Sequence, residues 1–135
     1  MNCIGVDIVS LDKVKELWKH HSTRLLDDVY TLKELSELNL VNVSRETIEF
    51  QVGPWQLQQL AIKFAAKEAA AKALALPHRV NFKWCEIEII GISQMAVSLS
   101  DKLSRYAVDF GAMRFKCTGS STKSHALAMV IGEFR

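Results

Sequence analysis

The sequence predicts an α+β fold in which a largely antiparallel sheet packs against one long central helix. Three observations carry that prediction. Leu60-Ala-Ile-Lys-Phe-Ala-Ala-Lys-Glu-Ala-Ala-Ala-Lys-Ala-Leu74 is built from the strongest helix formers and contains no Gly or Pro. Cys3-Ile-Gly-Val-Asp-Ile-Val9 is short, β-branched and charged at one place only, as a strand within a sheet is. Downstream, Trp84 to Ile90 and Met95 to Leu99 alternate with period two around Gly91-Ile-Ser-Gln94 and read as a β-hairpin, and two more strands close the chain.

A chain of 135 residues suits one domain, residues 1–135, and buries about two thirds of its unfolded surface. The net charge is +2, with 17 basic against 15 acidic residues, so nothing demands a nucleic-acid partner and any basic patch is local. Cys3, Cys85 and Cys117 are odd in number, far apart and without metal-ligand spacing, which reads as reduced cysteines of a cytoplasmic protein. Met1 leads straight into a strand pattern, and no apolar run approaches membrane-spanning length, so neither secretion nor membrane insertion is expected.

In the first strand, alternation puts Ile4, Val6 and Ile8 on one face and Gly5 and Asp7 on the other. An acid in an apolar strand needs a partner, a metal or a hydrogen-bond cage; the plain alternative is a cap near the strand end. Ser10 can cap a helix in which Leu11, Val14, Leu17 and Trp18 recur at helical spacing, with Lys13, Lys15, Lys19 and His20 on its other sides. That basic surface suits an acidic protein partner, or is simply a solvated face. Thr31-Leu-Lys-Glu34 is a capping box and starts another helix. From Asn39 to Gly53 a loop is expected, with Ser44, Ile48 and Phe50 offering competing signals.

Gly53-Pro54 starts the long helix and Pro77 is a plausible stop, giving about Pro54 to Leu76. At about 100° per residue, Leu57, Leu60, Phe64, Ala71 and Ala75 form one stripe with Glu68 in its middle. Lys72 stands one turn on, Lys67 on the opposite edge, and Lys63 one turn before Lys67. A buried Glu68–Lys72 ion pair serving structure alone is one reading; a metal or phosphate site on the helix face is the other. Beyond the hairpin, Ser100 caps a helix that Gly111 closes, and Met113 to Thr118 and Ala126 to Glu133 are the final strands. The intervening Gly119-Ser-Ser-Thr-Lys-Ser124 is no nucleotide-triphosphate loop, because Thr122 replaces the glycine before the lysine and a strand follows. It holds a phosphate in a turn or is an ordinary hairpin.

The Ile-Gly-Val-Asp7-Ile-Val strand, the Lys-Phe-Ala-Ala-Lys-Glu68-Ala-x-x-Lys72-Ala helix, the Trp84-x-Glu-Ile-Glu-Ile89 strand and the closing Ala126-x-Ala-x-Val-Ile131 together resemble the holo-acyl-carrier-protein synthases, small 4′-phosphopantetheinyl transferases. The resemblance implies that fold, and transfer of phosphopantetheine from coenzyme A to a serine of an apo acyl carrier protein. It also implies release of adenosine 3′,5′-bisphosphate and a need for Mg²⁺. Asp7 and Glu68 match the family's metal ligands; Lys72, with Lys63 and Lys67, would hold coenzyme A phosphates; Thr118 and Ser120 stand where the family has a Ser-x-Ser-His strand that binds the same substrate. The serine's proton goes to Glu68 or to a metal-bound water. Carrier docking carries over to Lys13, and by surface logic to Lys15 and Arg24, and family members of this size are homotrimers with sites between subunits.

The family's Gly-Thr-Gly turn is here Ala75-Leu-Pro-His78, its Gly-Lys-Pro between the middle strands is Gly91-Ile-Ser-Gln94, its acid after the first strand is Ser10, and its Arg-Ile-Leu-Thr is Asp28-Val-Tyr-Thr31. These departures suggest a transferase for a secondary carrier rather than the general one of fatty acid biosynthesis. They also support a second reading, a homologue that binds carrier protein or coenzyme A without turnover.

Overall fold

The computed structural model describes residues 2–24, 28–40, 52–76, 80–92 and 94–134. In chain order the elements are β1 (Asn2–Ser10), α1 (Leu11–Arg24), α2 (Leu32–Glu37), α3 (Pro54–Ala73), β2 (Ile87–Ile90), β3 (Ala96–Leu99), α4 (Asp101–Phe110), β4 (Ala112–Ser121) and β5 (His125–Phe134). The α+β class and the antiparallel pairing are as the sequence predicts, but the strands form two sheets, β1-β5-β4 and β2-β3, joined among the described residues by a single bridge between Met95 and Cys117. The signals at Ser44, Ile48, Phe50 and Pro77 lie outside the described residues.

The helix starts are where side-chain oxygens can take orphan N–H groups. Ser10 Oγ accepts from Lys13 N at 3.1 Å, Thr31 and Glu34 form the full capping box, and Ser100 Oγ accepts from Leu103 N at 3.3 Å. Gly111 ends α4 with φ 103, a left-handed conformation that a side chain would resist. The hairpin is shorter than predicted because Trp84–Glu86 is a 3₁₀ turn. Glu86 accepts from Lys83 N at 2.8 Å and from Ser100 Oγ at 3.0 Å, a local alternative to strand pairing. The closing hairpin is longer than predicted. Thr122 Oγ1 accepts from Ser124 N and His125 N, which tightens the turn and lets pairing run out to Ser121 and Ala126.

α3 lies across the three-stranded sheet. Gly5 of β1 faces it so closely that a methyl group there would run into the Ala69 carbonyl oxygen and come within 2.8 Å of Ala73 N. The predicted apolar stripe is too narrow: Leu60, Ala61, Ala65, Ala66, Ala69 and Ala70 are all fully buried, while Ala75, past the helix end, is exposed. The sheet covers one side of α3, and α1 and the β2–β3 hairpin cover others, so small side chains are needed nearly all round.

Gly5→Ala is expected to destabilise the protein by about 3 kcal/mol or more, since backbone rather than a movable side chain is in the way. A denaturant midpoint unchanged by this substitution would contradict the close β1–α3 contact.

Candidate active site

Two elements meet at the candidate site because Gly5 and Asp7 share the face of β1 that looks at α3. Glu68 and Lys72, one turn apart on α3, come up beside Asp7. Lys72 Nζ donates to Asp7 Oδ1 at 2.7 Å and to the Val6 carbonyl at 3.2 Å. Lys72 therefore pairs with the strand carboxylate, and the Glu68–Lys72 pair is not what anchors it. The Asp7 side chain is 9 % exposed and that of Lys72 is 55 % exposed, so the site is dry at the carboxylate and open at the ammonium. The other carboxylate oxygen, Asp7 Oδ2, is buried with no hydrogen-bond partner among the described residues.

Glu68 is half-buried. Burial first, and then the Asp7 carboxylate beside it, push its carboxyl above the ordinary range, with Lys13 and Lys72 pulling the other way. The hydrogen bond to Asp7 is the largest influence on Lys72 and holds its ammonium above the usual lysine range. Two carboxylates this close, one with an unfilled buried oxygen, form an oxygen donor set for a hard divalent cation. Mg²⁺ fits: it takes one or two carboxylates and leaves the rest of its shell to water and phosphate. Among the described residues no group of three or more His, Cys, Asp and Glu is placed to enclose a metal.

The structure corrects the reading of Lys63 and Lys67 as phosphate ligands. Both are fully buried and point away from Asp7. Lys67 Nζ pairs with Glu34 Oε1 at 2.9 Å, and Lys63 Nζ with Glu37 Oε2 at 3.3 Å. Lys67 also donates to the Trp84 and Ile87 carbonyls, and Lys63 to those of Ile89 and Gly91, so neither ammonium has a proton to offer a ligand. Burial lowers the Lys67 pKa against the pull of Glu34. Glu34 and Glu37 were missed because the capping box already accounted for Glu34. The available signal was the pairing of two acids one turn apart on α2 with two lysines one turn apart on α3.

Thr118 and Ser120 are exposed on β4, opposite Met129 and Leu127 of β5, which in turn sit opposite Val6 and Ile8 of β1. They lie on the far face of the sheet from Asp7 and two strands away, so one chain does not bring them to Glu68. Lys13 and Lys15 are both exposed but stand about 200° apart around α1. Lys13 is close enough to lower the Glu68 pKa. Lys15 instead lines an open cavity of about 280 Å³ with Leu57, Gln58 and Lys123. Arg24 falls in the last turn of α1, and its side chain is outside the described residues. At the end of α3 Ala75 takes φ 54, a left-handed conformation costing about 1–2 kcal/mol for a residue with a side chain.

Residues 3–130 match the model of the 4′-phosphopantetheinyl transferase superfamily. The chain is 29% identical over 131 residues to a protein of Dehalococcoides mccartyi named holo-[acyl-carrier-protein] synthase, covering 96% of each. Among solved structures it is similar to the holo-[acyl-carrier-protein] synthase of Neisseria meningitidis, with a TM-score of 0.76 and 27% identity, covering 97% of both chains. The fold is also shared with the Helicobacter pylori holo-[acyl-carrier-protein] synthase in complex with coenzyme A, with a TM-score of 0.71 and 20% identity, covering 96% of this chain and 99% of that one.

A carboxyl raised in the folded chain holds its proton at pH values where the unfolded chain, near 4.5, has lost it. The folded state is thus favoured below that value and loses this advantage as the pH rises through the folded pKa. Glu68→Leu is expected to leave the thermal midpoint at about pH 8 equal to or above wild type, with a smaller difference near about pH 4. A strongly lowered midpoint at the higher pH would make Glu68 a structural residue.

Proposed function

The chain belongs to the 4′-phosphopantetheinyl transferase superfamily, and from that membership we propose that it transfers the 4′-phosphopantetheine group of coenzyme A to a serine of an apo acyl carrier protein. Adenosine 3′,5′-bisphosphate is released, and Mg²⁺ is required. The observation that carries this reading is the meeting of Asp7 from β1 with Glu68 and Lys72 from α3, some sixty residues apart in sequence. It is supported by relatives named holo-[acyl-carrier-protein] synthase along nearly the whole chain.

Phosphoryl transfer asks for in-line positioning and for neutralisation of oxygen charge. Asp7, through its unpartnered Oδ2, and Glu68 would hold Mg²⁺, which when bound supplies charge neutralisation at the coenzyme A phosphates. Lys72 donates two of its three protons to Asp7 and Val6, which orients the third outward to a phosphate oxygen. The carrier serine oxygen forms a bond to the phosphorus bearing pantetheine while the bond from that phosphorus to the adenosine 5′-phosphate oxygen breaks. The serine proton passes to a base, and Glu68, whose carboxyl burial and the Asp7 carboxylate hold above the ordinary range, suits that role.

The outer face of the sheet supports a homotrimer with sites between subunits. Ile4, Val6 and Ile8 are 60, 47 and 62 % exposed, and with Leu127 and Met129 opposite them they make a contiguous apolar patch of the kind that is covered in an assembly. Thr118 and Ser120 continue that face, so they would serve coenzyme A bound at a neighbouring subunit's Asp7 and Glu68. Lys13, beside Glu68, would guide an acidic carrier toward the site, with Lys15 and Arg24 further out. The three free cysteines and the lack, among the described residues, of a helix able to cross a membrane fit a cytoplasmic enzyme.

Asp7→Asn and Glu68→Gln are each expected to lower transfer by about a thousandfold, with the double variant little worse than either, as for groups acting as a unit. Intact-mass analysis of carrier protein incubated with coenzyme A and Mg²⁺ reads this out, and full activity in either single variant would overturn the assignment. Lys13→Glu is expected to raise the carrier KM about tenfold and flatten its salt dependence, leaving the coenzyme A KM unchanged. An unchanged carrier KM with weakened coenzyme A binding would reverse the role given to Lys13.

A further inference from the structure

Among the described residues β2 pairs with β3 along one edge only, and four side chains meet its other edge. The Ile87 carbonyl accepts from Lys67, Ile89 N donates to Glu34 Oε2 at 2.8 Å, and the Ile89 carbonyl accepts from Lys63 at 2.7 Å. Gly91 N donates to Glu37 Oε2 at 2.9 Å, and the Gly91 carbonyl accepts from Lys63 at 3.1 Å. Residues 87, 89 and 91 are the period-two set that one more strand would have paired with, so a ladder of two carboxylates and two ammoniums stands in for a strand. Glu34 binds Thr31 N and Lys67 through one oxygen and Ile89 N through the other, so neither oxygen is left unpartnered.

Around Glu68, apolar packing alone discriminates poorly between rotations of α3. Its large buried apolar side chains, Leu60, Ile62 and Phe64, come before this stretch, whereas Ala65, Ala66, Ala69, Ala70, Ala71 and Ala73 surround Glu68, and there turning the helix by one residue largely exchanges one methyl group for another. Directional bonds from Lys63 and Lys67 to fixed carbonyls do discriminate. Lys67 and Glu68 are consecutive and so about 100° apart, which means that seating Lys67 in the ladder aims Glu68 at β1. We propose that Glu34, Glu37, Lys63 and Lys67 are positioning residues whose ladder along β2 sets the rotation of α3 and thereby holds Glu68 against Asp7. Buried ion pairs add little net stability, and setting a register is the role best matched to such an arrangement. What the carboxylate pair does with Mg²⁺ rests on the function proposed above; the positioning does not.

The test uses the full chain carrying Asp7→Cys and Glu68→Cys, with Cys3, Cys85 and Cys117 replaced by alanine. The rate of disulfide closure between positions 7 and 68 is followed by mass in a glutathione buffer without metal or coenzyme A. Adding Glu34→Gln with Lys67→Met removes the pair without stranding a charge. It is expected to slow closure by about tenfold or more while the thermal midpoint stays near that of the parent. The more exposed pair, Glu37→Gln with Lys63→Met, is expected to act in the same direction and decides the matter if the first variant does not fold. Closure at the parent rate in a folded variant overturns the proposal, as does failure of both pair variants to fold, which would make the ladder a stability element. Because closure needs neither substrate nor metal, a chain that proved inactive would leave this result standing.

Discussion

The close approach of α3 to β1 is the constraint on which the rest of the structure depends. A helix and a strand come this near only where the strand lacks a side chain and the helix presents methyl groups, and here Gly5 meets Ala69 and Ala73. Asp7 is the next residue on that face of β1, so the same approach lowers a carboxylate into the seam between strand and helix. Burial and the Asp7 carboxylate then raise the cost of ionising Glu68, a cost that a cation offsets. The candidate site is thus a by-product of packing that small residues permit.

α3 carries lysines of opposite fates within ten residues. Lys63 and Lys67 lose their water and recover its hydrogen bonds from two carboxylates and the edge of β2. Lys72 keeps most of its water and gains one strong bond to Asp7. Burial drives the Lys67 pKa down, whereas the Asp7 hydrogen bond drives that of Lys72 up. In the proposed transfer only an ammonium of the second kind can meet a phosphate, because it alone has an unused donor facing solvent. The charge pattern of the helix therefore divides into an anchoring face and a working face about 140° apart.

The three-stranded sheet is two-sided in a way that bears on assembly. Its inner face is glycine, alanine and valine pressed against α3, and its outer face keeps larger apolar residues, Ile4, Ile8 and Leu127 among them, in contact with solvent. β-branched residues stabilise the strand whichever way they point, so the alternation of β1 does not say which face is covered within the chain. The polar row of Thr118 and Ser120 runs along the same outer face, so the proposed substrate contacts of these residues depend on a neighbouring copy.

Local chemistry alone determined the element types and four helix starts, and it singled out Asp7, Glu68 and Lys72 as candidates. Caps, propensity and period two act within a few residues, and the two motifs that bear these side chains are contiguous runs. The tertiary structure decided what lies around them. Glu34 and Glu37 claim Lys63 and Lys67 across more than twenty residues of chain, and β2 takes a side-chain edge in place of a strand. Lys72 turned to Asp7 rather than to Glu68 one turn away on its own helix. The physical reason is common to all three: the free energy of a buried charge or backbone group, Asp7 in the case of Lys72, depends on which partners surround it, and those come from elements that are distant in sequence.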